Sequence, residues 1–412
     1  MDCSGIKFYL YFYKSHCYNH VYMSKRGSFT MSKSRLITFM LSVFVVGMVE
    51  LMIAGILSLM SKDLNVSEAI IGQLVTIYAF TFAISGPILV KLTKNLSPKL
   101  VLLVSMAIFI LGNGIIAISP NFIILVIGRI LSSGAAAIIV VKILSLTVVY
   151  SNPSERGKMI GLVYTGFSAA NVLGVPLGTK IGDLIGWRMS FIFICSVGII
   201  ALILIAFNVA NNKIDTPETS ESAQSYKIKH PLEIVKYLSI TFLILAANYV
   251  VVTYISPLLA IYGYDLNIVS LVLLVAGIGA ILGTSLGGYI TDSLGSKKWL
   301  LISLSSYAIL MFVFQSFLPI LIVTLIGVFI WNIVQWGSNP PIQIGIISQI
   351  EGDTSAVMSW NMSSLNAGIG AGSLLGGIFV SYFNVVSSLY VAGALSLVAF
   401  LICLTIKKPA TE

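Results

Sequence analysis

The chain predicts an all-α membrane protein of twelve transmembrane helices in two six-helix, pseudo-symmetric halves. Three observations carry that expectation. The first is composition: 57% of the 412 residues are hydrophobic and 9% charged, with a mean hydropathy of +0.99, whereas a soluble domain carries about 25% charged residues. The second is the recurrence of apolar runs of roughly 20 residues, the length a helix needs to cross the hydrocarbon core. The third is a single long polar interruption, Asn208 to Lys236, with six runs on either side.

In order, the runs cover 36–59, 70–90, 100–118, 121–143, 158–179 and 187–208, then 237–260, 269–290, 299–317, 319–343, 356–380 and 385–406. Short connections bearing Pro, Asn and Gly separate them, as at Ser119-Pro120 and Leu318-Pro319. The first half is placed at 31–208, a cytoplasmic linker at 209–236 and the second half at 237–412. Ahead of them, residues 1–30 hold a short aromatic run that makes a poor secretory signal. Met31 opens MSKSRL like a natural start, so 1–30 is expected to be a dispensable leader or a mis-assigned start, the alternative being a cytoplasmic regulatory tail.

The basic charge follows topology. With the N-terminus inside, 20 Lys and Arg residues fall on inside segments and 3 (Lys62, Lys180, Arg188) on outside ones, while Arg129 lies within a span. Lys142 is counted among the inside residues. This bias places both termini in the cytoplasm and accounts for the net charge of +9 without nucleic acid. Four cysteines fall in no metal-like spacing, and no cofactor or metal is implied. None of the three histidines (His16, His20, His230) lies in a span, which argues against a membrane-embedded enzyme.

Glu50 is the one acid in the first span. A carboxylate there costs on the order of 2.5–3.5 kcal/mol on insertion scales, so it is expected to face a cavity or a partner. Arg129 is its counterpart in the fourth span. Glu50 lies nine residues from Leu59 and Arg129 eight from Asn121, so at 1.5 Å per residue both sit roughly 12–14 Å below the outer surface. Arg⁺ would favour the carboxylate and desolvation would oppose it, so substrate entry or helix rocking could change its proton occupancy. The alternative is a permanently paired Glu–Arg strut.

Span five carries GFSAANVLGVPLG, with Gly174, Pro176 and Gly178. Small residues allow close helix approach and Pro kinks a helix, so this span is expected to pack tightly and to hinge. LNAGIGAGSLLGG in span eleven is its counterpart. The stretch after span two, Gly86 to Lys91, and that after span eight, Gly288 to Lys298, read as matching cytoplasmic loops. In the latter, Gly288, Asp292 and Gly295 suggest a conformational latch, with Asp292 accepting hydrogen bonds or capping a neighbouring helix.

Polar and aromatic residues inside spans are the candidate cavity lining: Tyr78, Asn113, Asn171, Asn248, Tyr249, Tyr254, Gln335, Asn339, Asn361 and Asn366, with Trp331, Trp336, Gln343 and Trp360 beside them. Amides read the edge of a heterocycle and aromatics stack on its face; taken singly, each is more readily a helix-packing hydrogen bond or an interfacial anchor than a ligand contact. Gln335 and Asn339 are one helical turn apart and so share a face. With almost no charge beyond Glu50 and Arg129, the lining favours a neutral small molecule.

The twelve spans, the Gly288–Lys298 stretch and LVIGRILSSGAAA around Arg129 resemble the major facilitator superfamily. GVPLG followed by GWRMSF resembles its drug:proton antiporter branch, and VELMIAGILSLMSKDLNVS, NYVVVTYISP and WGSNPPIQ are similar to bacterial purine base/nucleoside and sugar efflux pumps. Val90 stands where the family's first loop motif has an acid, and Val175 separates Gly174 from Pro176. The resemblance implies a monomeric, proton-coupled exporter in the bacterial cytoplasmic membrane, with Glu50 and Arg129 in the coupling roles. Its cargo would be purine bases or nucleosides, the alternative being sugars or multiple drugs.

Overall fold

A computed structural model describes residues 31–152, 155–210, 227–351 and 355–407; the leader and most of the linker lie outside them. Twelve helices, or pairs of helices in line, are long and apolar enough to cross a membrane. The first half holds α1 (Lys33–Leu64), α2 (Glu68–Leu92), α3 (Pro98–Ala117), α4 (Phe122–Tyr150), α5 (Arg156–Ala169), α6 (Val175–Ile185) and α7 (Trp187–Asn208). The second half holds α8 (Pro231–Val252), α9 (Ile255–Ala260), α10 (Leu266–Leu294), α11 (Ser296–Val313), α12 (Leu321–Gly337), α13 (Asn339–Ser348), α14 (Ser355–Tyr382) and α15 (Ser387–Leu404). A π turn, Ala170–Gly174, joins α5 to α6, and the three together make the fifth crossing.

Local chemistry sets many of the ends. Ser32, Ser67, Ser97, Asn121 and Asp265 each accept a backbone N–H in the first turn of the helix they precede, as N-caps do. The Asn267 side chain and the Ile268 N–H hold the exposed Asp265 carboxyl below the usual carboxylate range. Asn65 closes α1 in the left-handed region (φ 51°). Gly186 (φ 97°) and Gly295 (φ 83°) are single-residue turns between α6 and α7 and between α10 and α11, where a side chain would strain the backbone.

Several expectations are corrected. Gly86–Lys91 is not a loop, because α2 runs on to Leu92 with Pro87 inside it. The Gly288–Lys298 stretch is helical on both sides of Gly295, and Gly288 needs no special space, since a Cβ there would meet nothing. Span seven stops at Val252 and resumes at Ile255, and span ten breaks at Ser338, so Gln335 and Asn339 lie on separate helices. The second half begins at Pro231 rather than 237, and residues 227–228 of the linker pair antiparallel with Ile350–Glu351 as β1 and β2. Lys142 is not at a helix end: α4 extends to Tyr150 and buries it.

Ile84, Ile88, Ile123, Ile199, Ile203 and Phe207 are among many large apolar side chains left exposed on the helices. Apolar surface on this scale is foreign to a soluble monomer and suits contact with lipid. Inside each half, small residues bring two helices together. In α14, Gly368, Gly372 and Gly376 lie against the backbone of Phe242, Ala246 and Val250 in α8. In the fifth crossing, Gly174, Gly178 and Gly182 receive Met48, Met52 and Ile56 of α1. Both stripes repeat every four residues, the spacing that keeps side chains on one helix face.

The helix ends that carry the described termini share a second device. Lys99, at the start of α3, donates to Ala206 O, and Arg35 in α1 donates to Asn208 O, both at the end of α7. Lys297, at the start of α11, donates to Leu404 O and Ile406 O, and Lys236 in α8 donates to Thr405 O, all at the end of α15. Each pair places cations on the orphan carbonyls of a final helix, where the helix dipole favours them.

Candidate functional site

The two halves meet along α1, α2, α5 and α6 on one side and α9, α10 and α14 on the other. Side-chain hydrogen bonds between the halves include Ser256 Oγ to Ser58 Oγ (3.4 Å), Tyr254 Oη to Ala69 O (3.3 Å), Thr76 Oγ1 to Gly370 O (3.2 Å) and Lys180 to Asn267. These four lie in the part of the bundle nearer the Leu64–Glu68 turn, away from the described termini. Gly277 of α10 approaches the backbone of Asn171 so closely that a Cβ would sit 2.8 Å from its carbonyl oxygen.

Between the halves lies a partly open cavity with about 620 Å³ of empty space, counting the space at its mouth. Leu51 of α1, Asn171 of the π turn and Val175 of α6 form the first-half wall. The second-half wall comes from α8, α9, α10 and α12, with Asn248, Tyr249, Trp331, Asn332 and Trp336 as its polar and aromatic members. Pro176 has no N–H to give to the carbonyl of Val172, and the π turn directly precedes it. Such turns gather at functional sites, and this one puts Asn171 on the wall.

Arg129 is fully buried. Its Nη1 donates to Val49 O (3.0 Å) and its Nε to Leu74 O (3.2 Å), and its guanidinium carbon stands 4.4 Å from the centre of the Tyr78 ring. Nη2 has no partner. The Val49 carbonyl belongs to the peptide bond that leads into Glu50, so α4 is pinned to α1 at that residue. Glu50 itself is partly exposed and makes no hydrogen bond or ion pair among the described residues.

Of the other residues singled out in the sequence, Asn171, Asn248 and Tyr249 line the cavity. Tyr78 lies under Arg129, with Ser133 donating to its carbonyl. Asn113 donates to Phe109 O and Asn366 to Met362 O, one turn back in their own helices, and Asn361 accepts from Thr241 of α8 in a helix-packing contact. Tyr254 lies between the halves, against Gly72, Gly376 and Gly377. Gln335 is fully buried with neither amide atom paired, and Asn339 opens α13 beyond the break. Gly174 and Gly178 pack on Met48 and Met52. Asp292 is exposed and caps nothing among the described residues, and α11 starts without a side-chain cap. The wall residue missed in the sequence is Asn332; its signal was the four-residue spacing Val328, Asn332, Trp336, all three of which line the cavity.

The model of the Major Facilitator Superfamily matches residues 39–352 and again 237–412. The chain is 30% identical over 365 residues to the uncharacterized MFS-type transporter YbcL of Bacillus subtilis (strain 168), covering 87% of this chain and 92% of that protein. It is 27% identical to the inner membrane transport protein YdhP of Escherichia coli (strain K12), over 84% and 88% of the two chains. It is also 27% identical to a probable sugar efflux transporter of Helicobacter pylori (strain P12), over 89% and 93%. In fold it is similar to the crystal structure of a D-xylose-proton symporter, with a TM-score of 0.72 at 16% identity over 92% and 98% of the chains. Two walls from two helical halves around one cavity, and a family match that runs through both, lead to one conclusion: the chain belongs to the Major Facilitator Superfamily and is a multi-pass membrane transporter, not an enzyme.

Proposed function

We propose that the protein is a proton-coupled exporter of the bacterial cytoplasmic membrane, monomeric, with both termini cytoplasmic, and that its cargo is a small uncharged solute. The observation that carries the cargo class is the cavity wall, which offers amides and aromatic faces and no acid or base. Burying an ion there would leave it without a counter-charge. Purine bases or nucleosides suit such a wall, with rings for the Trp331 and Trp336 faces and edges for the Asn171 and Asn248 amides. Sugars are the second reading, favoured by the likeness to the probable sugar efflux transporter. A multidrug exporter is the third.

Glu50 is the proton carrier in this reading. It follows the carbonyl that Arg129 holds and precedes Leu51 on the cavity wall, so its proton and the cargo would act on one helix. In the described conformation the halves are bonded on the side of the Leu64–Glu68 turn, which the charge pattern puts outside. Alternating access would break those bonds and close the opposite end. The test is uptake of labelled adenine, hypoxanthine, inosine and a pyranose into inverted vesicles, with and without a pH gradient. Gradient-driven uptake of one class is expected; uptake indifferent to the gradient would remove proton coupling.

A further inference from the structure

The cavity wall has a fixed hydrogen-bond polarity. Trp331 Nε1 lies 3.0 Å from Asn248 Oδ1, and both residues are buried. An indole N–H only donates, so the amide must turn its oxygen to the indole. That bond fixes which way the amide faces, and Asn248 Nδ2 has no partner among the described residues. Asn332 is fixed in the opposite sense: its Nδ2 donates to Val328 O at 2.9 Å. A carbonyl only accepts, so one Asn332 N–H is engaged and the amide oxygen, with the second N–H, is left to offer. Asn171 Oδ1, on the facing wall, is likewise without a partner.

We infer that Trp331 is a positioning residue that holds the Asn248 amide with its N–H groups toward the cavity, so that the cargo must place a hydrogen-bond acceptor there. The Asn332 and Asn171 oxygens can accept from a cargo donor in return. The cargo class is therefore an uncharged molecule with both an acceptor and a donor, rather than a purely apolar one. This rests on the cavity being the cargo site. It does not depend on the cargo being a purine, because a nucleoside and a pyranose both carry the two kinds of group.

A double-mutant cycle on the full-length protein in inverted vesicles tests it, with labelled inosine and labelled D-glucose as probes. Trp331→Phe frees the amide to flip, and Asn248→Leu removes it. Each alone is expected to raise the half-saturation concentration ~10-fold, the scale of one lost hydrogen bond, with maximal rate little changed. The double variant is expected to show ~10-fold as well, since Trp331 acts through Asn248. A ~100-fold loss in the double variant would mean that Trp331 packs independently and would overturn the inference, as would no loss in Trp331→Phe. Asn248→Asp keeps an oxygen for the indole but turns an oxygen to the cavity; wild-type half-saturation in that variant would also overturn it. Carriage of D-glucose without inosine would remove the purine reading and leave the cycle to be read on glucose. Failure of wild-type protein to bind either probe would remove both.

Discussion

Arg129 is held by two helix carbonyls and the face of Tyr78, with no carboxylate within ion-pair distance among the described residues. A buried donor left unpaired costs about 1–3 kcal/mol, and Nη2 is one. A water or a carboxylate that reached it would be stabilised, and in the proposed coupling that carboxylate is Glu50, beside the carbonyl Arg129 holds. Glu50→Gln is expected to abolish gradient-driven transport while the protein elutes as a folded monomer; full gradient-dependent uptake would refute the role. Arg129→Lys is expected to lower the transport rate ~10-fold or more, because an ammonium lacks the planar fork that reaches both carbonyls. Rescue of wild-type rate by Lys would mean that charge alone suffices. Both residues were legible in the sequence because a charge in an apolar span stands out. Their partners were not, because a backbone carbonyl has no sequence signature.

At the level of elements, the glycine stripes explain which helices pair, and their partners decide what each glycine tolerates. A Cβ at Gly372 would meet the Ala246 carbonyl oxygen at 2.3 Å, whereas one at Gly178 would meet the methyl end of Met52 at 2.4 Å. Backbone cannot yield and a methionine tip can. Gly372→Ala is therefore expected to lower stability by about 1–3 kcal/mol. In Gly178→Ala the cost of moving Met52 is offset by about 1 kcal/mol of helix propensity, leaving little change. Thermal unfolding in detergent measures both, and equal losses would contradict the argument. The small-residue stripes could be read in the sequence; which side chain filled each one could not.

For the whole molecule, the repeat between halves is clearest where it was not sought. Lys99 and Lys297 cap the last helices of their halves in the same way, as do Arg35 and Lys236. The cations that the charge pattern expects on the cytoplasmic side thus also tie the first helices of each half to its last. Movement is then left to the seam between halves. Ser58 and Ser256 face each other across it with their hydroxyls 3.4 Å apart, which makes them the pair to replace by cysteine for a cross-link. Ser58→Cys/Ser256→Cys, oxidised, is expected to stop transport and reductant to restore it. Undiminished transport by the cross-linked protein would show that the halves do not part there.

The sequence alone determined the solvent in which this chain folds, the number of crossings, their division into two sets of six and the places of the charges within spans one and four. These follow from the cost of burying polar groups, which acts residue by residue. Tertiary structure decided which amides face the cavity and which only tie helices together. Asn248 and Asn361 look alike along the chain, but Trp331 turns one toward the cavity and Thr241 engages the other within the packing. A hydrogen bond is made to whatever lies opposite, and what lies opposite is fixed only when distant helices pack.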